Sequence, residues 1–377
     1  MNMLNIEKKQ QWLVYFEMFL VSIAANALAP LITTFQDQYN LSITTSSLFP
    51  VFLSSGGILA NFLGAFIISR MGVRKYNFLF LISLALTAFL FYIASNTVML
   101  FAAVFVLGIA TGSGMAVTST ILSHLDKHLQ NFGLYHAFFG LGGIVTPAII
   151  GFILHLNMNY KLIFIFIFLL AVGTAVFLLS ARFLSDHIYE KVPFIKSLSI
   201  LKMRVVYLSL IILIFYAGSE IGMVLWSSNL FIEAFNFTKE SSALFLSGFW
   251  LIYTLGRVFA QQIENFLKLQ KTIILAVSLV FISISILLWQ GWPLAFWFAA
   301  LGMAPIFPII QKYVLQHIDK SQAGMFNGML FGFLGIGNII LPGLMGVLGG
   351  INIYYAFLLP IVSMLVILVV FRLLMKI

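Results

Sequence analysis

Long apolar runs, interrupted only by short polar stretches, fill almost the whole sequence. A helix needs about 20 residues to cross a bilayer, and twelve runs reach that length. The chain is 62% hydrophobic and 8% charged, which leaves too little polar surface for a sizeable soluble domain. We therefore predict an all-α membrane protein with twelve transmembrane helices, numbered span 1 to span 12 in chain order. The predicted spans lie near residues 12–35, 46–69, 77–95, 98–122, 132–155, 161–183, 203–232, 242–263, 272–289, 293–316, 324–349 and 353–375.

The basic residues lie mostly on one side of the predicted membrane. If the amino terminus is cytoplasmic, 18 of the 20 lysines and arginines are cytoplasmic, and only Lys161 and Lys239 lie outside. Because cytoplasmic loops retain basic residues, this bias predicts an even number of spans and two cytoplasmic termini. Topology and anionic lipid then explain the net charge of +9, with no nucleic-acid partner. We predict an integral protein of a bacterial inner (cytoplasmic) membrane.

The two halves of the sequence repeat one another. At an offset of 196 residues, Asn40-Leu41-Ser42 matches Asn236-Phe237-Thr238. Such parallel repeats predict an N-terminal six-helix bundle over 1–183, a cytoplasmic connecting loop over 184–202 and a C-terminal six-helix bundle over 203–377. At an offset of 195 residues, span 5 matches span 11 through Gly133, Phe138, Gly140, Gly142, Ile144, Pro147, Gly151, Asn157 and Tyr160, which meet Gly328, Phe333, Gly335, Gly337, Ile339, Pro342, Gly346, Asn352 and Tyr355.

The sequence lacks the usual marks of an enzyme. It has no cysteine, which removes thiol catalysis and thiolate metal sites. The acidic residues are scattered, and no metal-ligand spacing, phosphate-binding loop or nucleophile motif stands out. We therefore predict no enzymatic activity, no cofactor and no metal. A polytopic membrane enzyme or a receptor is the alternative from another class, and it would need clustered ionisable groups or a sizeable soluble domain.

Ionisable side chains inside a membrane are costly, so each is a candidate for function. Glu220 lies near the middle of span 7, among Tyr216, Gly218 and Gly222. Small neighbours leave room for a ligand or water, and a carboxyl group there can gain and lose a proton. We predict that Glu220 couples transport to protons; the alternative is a neutral acid hydrogen-bonded to a neighbouring helix. His136 in span 5 is the second candidate for proton coupling, or a histidine satisfied by packing.

Amides and aromatic rings at similar depth are the candidates for binding a polar solute. Asn26 is equivalent to Glu220 at an offset of 194 and could bond a substrate, although a structural interhelical hydrogen bond is equally open. The full set of predicted substrate-binding residues is Asn26, Asn61, Tyr216, Trp226, Trp250, Tyr253 and Asn338. Towards the cytoplasmic ends of the spans, the predicted gate residues, which could snorkel or pair across an inner gate, are Glu17, Arg70, Arg74 and Arg257.

Four segments carry a resemblance to a known family: Tyr135 to Gly140 in span 5, Glu220 to Trp226 in span 7, Phe249 to Arg257 in span 8 and Ala304 to Pro308 in span 10. Here the chain resembles transporters of the major facilitator superfamily, and more narrowly the fucose permease-type sugar–proton symporters. The resemblance covers the whole chain. It implies two six-helix bundles, a monomer that works by alternating access, and a small-molecule substrate coupled to protons.

Two positions depart from the pattern of these symporters. In the superfamily loop motif after span 2, the basic half survives as Arg70 and Arg74, whereas Ser69 stands in place of the acid. In span 4, Met115 stands where related sugar symporters have an acidic residue that helps to couple protons. Glu220 therefore becomes the main candidate for the proton site.

The combined interpretation is a secondary active transporter that moves a small polar organic solute, with sugars as the preferred class, by alternating access and proton symport through Glu220. Its partners would be the solute, protons and the lipid bilayer. The rival within transport is a proton-driven exporter of amphipathic drugs or siderophores, which an aromatic, methionine-rich and sparsely charged lining would favour. The sequence leaves the direction of transport open.

Overall fold

The computed structural model describes residues 3–180, 198–318 and 320–376, and these residues form helices joined by short turns. Eleven helical stretches among them are long and apolar enough to cross a membrane. A further pair, Lys239–Val258 and Ala260–Leu267, is bent by 53° and makes the twelfth when it is counted as one span. The predicted all-α architecture with twelve spans is confirmed.

The helices of each span are as follows: Met3–Ala25 with Leu28–Tyr39 in span 1, Ile43–Ser46 with Leu48–Met71 in span 2, Val73–Ile93 in span 3, Thr97–His124 in span 4, Phe132–His155 in span 5, Leu162–Ser180 in span 6, Arg204–Phe235 in span 7, Lys239–Val258 with Ala260–Leu267 in span 8, Leu269–Gln290 in span 9, Ala295–Met303 with Ile306–His317 in span 10, Lys320–Gly349 in span 11, and Ile353–Ala356 with Leu358–Leu374 in span 12. Two short 3-10 helices, Lys127–Leu129 and Leu198–Lys202, precede spans 5 and 7.

Local sequence explains several helix ends. The side chains of Asn96, Asn131 and Thr238 accept backbone N–H groups in the first turns of spans 4, 5 and 8, which satisfies donors that have no partner within the helix. Span 10 is broken at Pro305, which has no N–H to continue the helical hydrogen bonds. The sequence predictions treated this span and spans 1, 2, 8 and 12 as continuous, whereas the structure divides each of them into two helices.

The contacts divide the chain into two compact units. The first unit comprises Met1–Leu31 and Phe52–Lys191, and the second comprises Ile32–Val51 and Val192–Ile377. Residues 32–51 group with the second unit because the short helix Ile43–Ser46 packs on span 11. Of the connecting loop placed at 184–202, residues 184–197 lie outside the described part of the chain.

Each unit repeats the same helix pairing. In the first, span 1 packs on span 5, and span 3 packs on spans 4 and 6. In the second, span 7 packs on span 11, and span 9 packs on spans 10 and 12. The members of equivalent pairs differ by six in chain order, as parallel six-helix repeats require.

The repeated glycines allow two of these pairs to pack closely. A Cβ atom at Gly142 of span 5 would lie 2.5 Å from Ser22 Cβ of span 1. A Cβ atom at the equivalent Gly337 of span 11 would overlap the backbone carbonyl of Ile214 in span 7. The glycines therefore bring spans 1 and 5, and spans 7 and 11, into backbone contact, as small residues do in membranes.

Candidate functional site

Four polar side chains of spans 7 and 8 lie together within the second unit. Tyr216 and Glu220 are one turn apart on span 7, and Tyr253 and Arg257 are one turn apart on span 8, so each pair shares a helix face. Arg257 Nη2 lies 3.8 Å from Glu220 Oε2 and donates to the Tyr216 hydroxyl at 3.2 Å. The Tyr216 and Tyr253 hydroxyls are 2.6 Å apart. We call these four residues the Glu220 cluster.

Aromatic rings surround the guanidinium group of the Glu220 cluster. The Arg257 Cζ atom lies 4.4 Å from the centre of the Tyr253 ring and 5.7 Å from that of Phe307 in span 10. Both separations are within the range of cation–π attraction. The Arg257 side chain is 27% exposed and that of Glu220 is 11% exposed. The cluster thus pairs two opposite charges in a largely apolar setting, with the guanidinium the more accessible partner.

Several buried polar atoms on spans 7, 8 and 11 have no hydrogen-bond partner. Arg257 Nε and the neighbouring Thr254 Oγ1 are buried and unpartnered on span 8, as are Ser219 Oγ on span 7 and Asn338 Oδ1 on span 11. Most buried polar groups in proteins are bonded to protein or to ordered water. These four buried atoms are exceptions to that rule.

The two tryptophans predicted to bind substrate have different surroundings. Trp226 is completely buried, and its Nε1 donates to the backbone carbonyl of Pro342 at 2.8 Å, which links span 7 to span 11. Its only donor is thus already used. Trp250 meets the ring of Tyr253 edge to face, with centroids 5.4 Å apart, so it adjoins the Glu220 cluster.

Glu17, in the first unit, is more buried than the sequence led us to expect. We predicted a gate residue that could snorkel to the cytoplasmic surface, but its side chain is 0% exposed. Asn77 of span 3 donates to Glu17 Oε1 at 2.8 Å. Its burial was missed because it depends on contact with span 3, which the sequence does not reveal.

The other predicted gate residues make contacts inside their own units. Arg74 donates to the backbone carbonyls of Leu178 and Leu179, at the C-terminal end of span 6, where a cation is favoured by the helix dipole. Arg70 lies 4.2 Å from the centre of the Phe66 ring. Arg257 belongs to the Glu220 cluster, which the sequence did not predict. Their roles as gate residues remain predictions.

The remaining candidates lie in the first unit. The side chain of Asn26 donates to the Ser22 carbonyl at 2.9 Å and to Ser22 Oγ at 3.0 Å, so its amide nitrogen is bonded within its own span. His136 is half-buried, with its ring 5.1 Å from that of Tyr135. Asn61 is half-buried on span 2. The substrate or proton roles of these residues remain predictions.

Sequence reasoning missed a second polar cluster of the second unit, formed by Gln36, Ser46, Asn229 and Glu233. Asn229 Nδ2 donates to Gln36 Oε1 at 2.8 Å and to Glu233 Oε1 at 3.1 Å, and Gln36 Nε2 donates to Ser46 Oγ at 3.2 Å. These bonds hold residues 32–51 against the end of span 7. The sequence feature that could have indicated this cluster is the presence of two amides, Gln36 and Asn229, near the ends of apolar helices.

The described residues hold no group of three or more histidine, aspartate or glutamate side chains that could bind a metal ion. The chemistry of the Glu220 cluster is therefore that of a carboxyl group, a guanidinium group and two phenols. Such groups bind polar solutes through hydrogen bonds and exchange protons.

Comparison with known proteins identifies the family. The family model of the Major Facilitator Superfamily matches residues 14–301 and 208–377. Among curated proteins, the chain is 23% identical to the protein TsgA homolog of Buchnera aphidicola (Schizaphis graminum), over 87% of this chain and 86% of that protein. It is 24% identical to the glucose/mannose transporter GlcP of Bacillus subtilis, over 85% and 84% of the two chains.

Solved structures agree with this assignment at the level of the fold. A D-xylose–proton symporter superposes with a TM-score of 0.77 at 12% identity, covering 95% of this chain and 96% of that one. The transporter FucP, in its outward conformation, gives 0.67 at 18% identity over 97% and 98%. The match to the family model extends over most of the sequence, and the predicted resemblance to sugar-type transporters is supported. The chain belongs to the major facilitator superfamily.

Proposed function

We propose that this protein is a secondary active transporter that carries a small polar organic solute of the sugar class, together with protons, across the cytoplasmic membrane. The observation that carries the proposal is the Glu220 cluster. It pairs a carboxyl group in the middle of a 32-residue membrane helix with a guanidinium on span 8, whose Nε is buried and unpartnered. Membrane proteins retain such groups at depth chiefly for function.

The ion pair suggests how proton and solute binding are linked. In its ionised form, the Glu220 carboxylate attracts the Arg257 guanidinium at 3.8 Å. A proton on Glu220 removes that attraction and leaves the guanidinium free to donate to an oxygen of the solute. Proton binding therefore strengthens solute binding, and by reciprocity solute binding strengthens proton binding. Positive coupling of this kind is what a symporter needs.

The chemistry of the cluster also favours the substrate class. Hydroxyl-rich solutes such as sugars accept from guanidinium and phenol donors and stack on aromatic rings. Tyr216, Tyr253 and Arg257 supply the donors, and Trp250 supplies an adjacent aromatic face. The names of the glucose/mannose transporter and the D-xylose–proton symporter among the related proteins support the same class.

The test is uptake by the purified protein in proteoliposomes. Radiolabelled hexoses, pentoses and nucleosides are presented with and without an imposed pH gradient, in the absence of a membrane potential. We expect at least one hexose or pentose to accumulate when the outside is acidic, and to equilibrate without accumulation when the gradient is abolished. Protein-free liposomes of the same lipid composition provide the background.

Other outcomes would contradict the proposal. Accumulation of an amphipathic dye against its gradient, without sugar movement, would favour the exporter. Sugar entry that does not respond to the pH gradient would indicate a uniporter, in which protons are not transported with the sugar. Transport of nucleosides alone would retain the mechanism and replace the substrate class.

A further inference from the structure

Glu17 is a second carboxyl group inside the membrane, and its surroundings differ from those of Glu220. Its side chain is 0% exposed, and no salt bridge in the described part of the chain includes it. Its polar partner is the neutral amide of Asn77, at 2.8 Å. A carboxylate that is buried without a cation is costly, whereas a carboxylic acid is not.

Two buried atoms of this pair have no hydrogen-bond partner, and both are acceptors. They are Glu17 Oε2 and Asn77 Oδ1, the atoms left over when Asn77 Nδ2 donates to Glu17 Oε1. Two acceptors cannot bond to each other. One proton on Glu17 Oε2 turns that atom into a donor, and Asn77 Oδ1 is an unpartnered acceptor on the side chain that already bonds to the acid.

No basic side chain competes for this position among the described helices packed around it. Spans 4 and 6 carry no titratable group within the membrane, apart from His124 at the end of span 4. In span 5, Tyr135 is an electrostatic neighbour of Glu17, and its hydroxyl lies 2.9 Å from Thr118 Oγ1. The remaining titratable groups on the helix Met3–Ala25 of span 1, on spans 3 and 5 and on the helix 127–129 are Glu7, Lys8, Lys9, Tyr15, Arg74, Lys75, Tyr76, Tyr92, Lys127, His128, His136 and His155.

Those remaining groups are occupied or peripheral. Arg74 bonds to carbonyls at the end of span 6, and the Tyr76 hydroxyl donates to Ser113 Oγ at 3.3 Å. The Tyr15 hydroxyl donates to the Asn131 carbonyl at 3.3 Å, and Glu7 accepts from the Asp126 N–H at 3.1 Å. The exposed groups are Lys8, Lys9, Lys75, Tyr92, Lys127, His128 and His155. His136 is half-buried beside Tyr135. No ion pair of the described residues neutralises Glu17. A bound proton is therefore the remaining way to neutralise its charge.

We propose that Glu17 and Asn77 form a proton-binding site in the first unit, in which Glu17 is held as a neutral carboxylic acid that donates to Asn77 Oδ1. Loss of this proton would leave a charge in an apolar interior and two acceptors facing each other. Release therefore requires water to reach the site, so proton occupancy is linked to the packing of spans 1 and 3. Any contribution of this site to coupling rests on the proposed transport function, whereas its occupancy does not.

Infrared spectroscopy tests the occupancy directly, without transport. A protonated carboxyl group has a C=O stretching band that a carboxylate lacks and that shifts in D2O. We expect wild-type protein at neutral pH to show this band, and Glu17→Gln to lose it. Glu220→Gln is the matched control, because it removes the other buried carboxyl group and should leave the Glu17 band in place. Absence of the band from wild-type protein, or its survival in Glu17→Gln, would overturn the proposal.

A second variant tests the pairing with Asn77 and covers the case in which Glu17→Gln does not fold. Asn77→Ala removes both hydrogen bonds to the acid, so the Glu17 band should move to the frequency of an acid without hydrogen bonds. An unmoved band would contradict the pair. If the band behaves as expected while no sugar is transported, the proton site stands and the proposed substrate fails.

Discussion

The ion pair of the Glu220 cluster predicts a measurable coupling between two residues 37 positions apart in sequence. Two unit charges about 4 Å apart attract by about 4 kcal/mol at an effective dielectric constant of about 20. Here the closest nitrogen and oxygen atoms are 3.8 Å apart and the guanidinium is 27% exposed, so part of that attraction is screened. We expect a coupling free energy of about 1–3 kcal/mol between Glu220 and Arg257.

A double-mutant cycle measures that coupling. The free energy of unfolding is determined in mixed detergent micelles for wild type, Glu220→Gln, Arg257→Gln and the double variant. Each single variant leaves one charge without its partner, so the double variant should lose about 1–3 kcal/mol less than the sum of the two single losses. The control is the pair Asp37 and Lys239, of which Asp37 is 71% exposed. Its coupling should be about 0.2–1 kcal/mol and should decrease with added salt.

Additivity within about 0.5 kcal/mol for Glu220 and Arg257 would refute the reasoning. It would mean that the two side chains do not interact in the folded protein. The proposed exchange of a carboxylate partner for a solute partner at Arg257 would then lose its basis.

Three further predictions concern topology, binding and packing. Ile195→Cys, placed in this naturally cysteine-free chain, should react with an impermeant thiol reagent only after cells are opened; labelling of intact cells would reverse the predicted orientation. Asn26→Ala should weaken solute binding by up to about tenfold, as loss of one neutral hydrogen bond does, and unchanged affinity in a folded variant would remove Asn26 from the site. Gly337→Ala should destabilise the protein by about 1–3 kcal/mol, because the new methyl group meets the carbonyl of Ile214. Gly173→Ala, with nothing within 4 Å of the added atom, should be neutral or slightly stabilising, and equal effects of both changes would contradict the packing argument.

The sequence was sufficient to predict the spans and the repeat because both depend on local composition. An apolar run of about 20 residues has few alternatives in a bilayer, and equivalent glycines such as Gly142 and Gly337 mark equivalent helix contacts. The depth of Glu220 followed from the same counting, since it lies at the centre of its helix. These features require no knowledge of which helices are neighbours.

The partners of the buried charges could not be predicted in this way. Arg257 is separated from Glu220 by a loop and by most of a helix, and its position near a helix end suggested a surface role. Asn77 is one of several amides in the apolar spans. Nothing in the sequence indicated that its side chain bonds to Glu17. For Trp226, closeness in sequence did not indicate the partner. It follows Glu220 by six residues in span 7, yet its indole N–H donates to the carbonyl of Pro342 in span 11. Side-chain pairing between helices depends on their rotation and packing, which periodicity alone does not determine.

The structure describes two buried carboxyl groups whose charges are balanced differently. Glu220 in the second unit has a guanidinium partner, whereas Glu17 in the first unit has only an amide. The two carboxyl groups therefore have different roles in the proposed mechanism. We propose that Glu220 exchanges its partner when it gains a proton, whereas Glu17 holds its proton until water reaches the interior of the first unit.

The most direct test of proton coupling through Glu220 is a comparison of accumulation and exchange in the same proteoliposomes. Glu220→Gln preserves the shape of the side chain and cannot titrate, and Glu240→Gln, in the first turn of span 8, is the matched control. We predict that Glu220→Gln exchanges labelled for unlabelled solute at equilibrium but no longer accumulates it when an inward pH gradient is imposed, while Glu240→Gln does both. Undiminished proton-driven accumulation by Glu220→Gln would contradict the account.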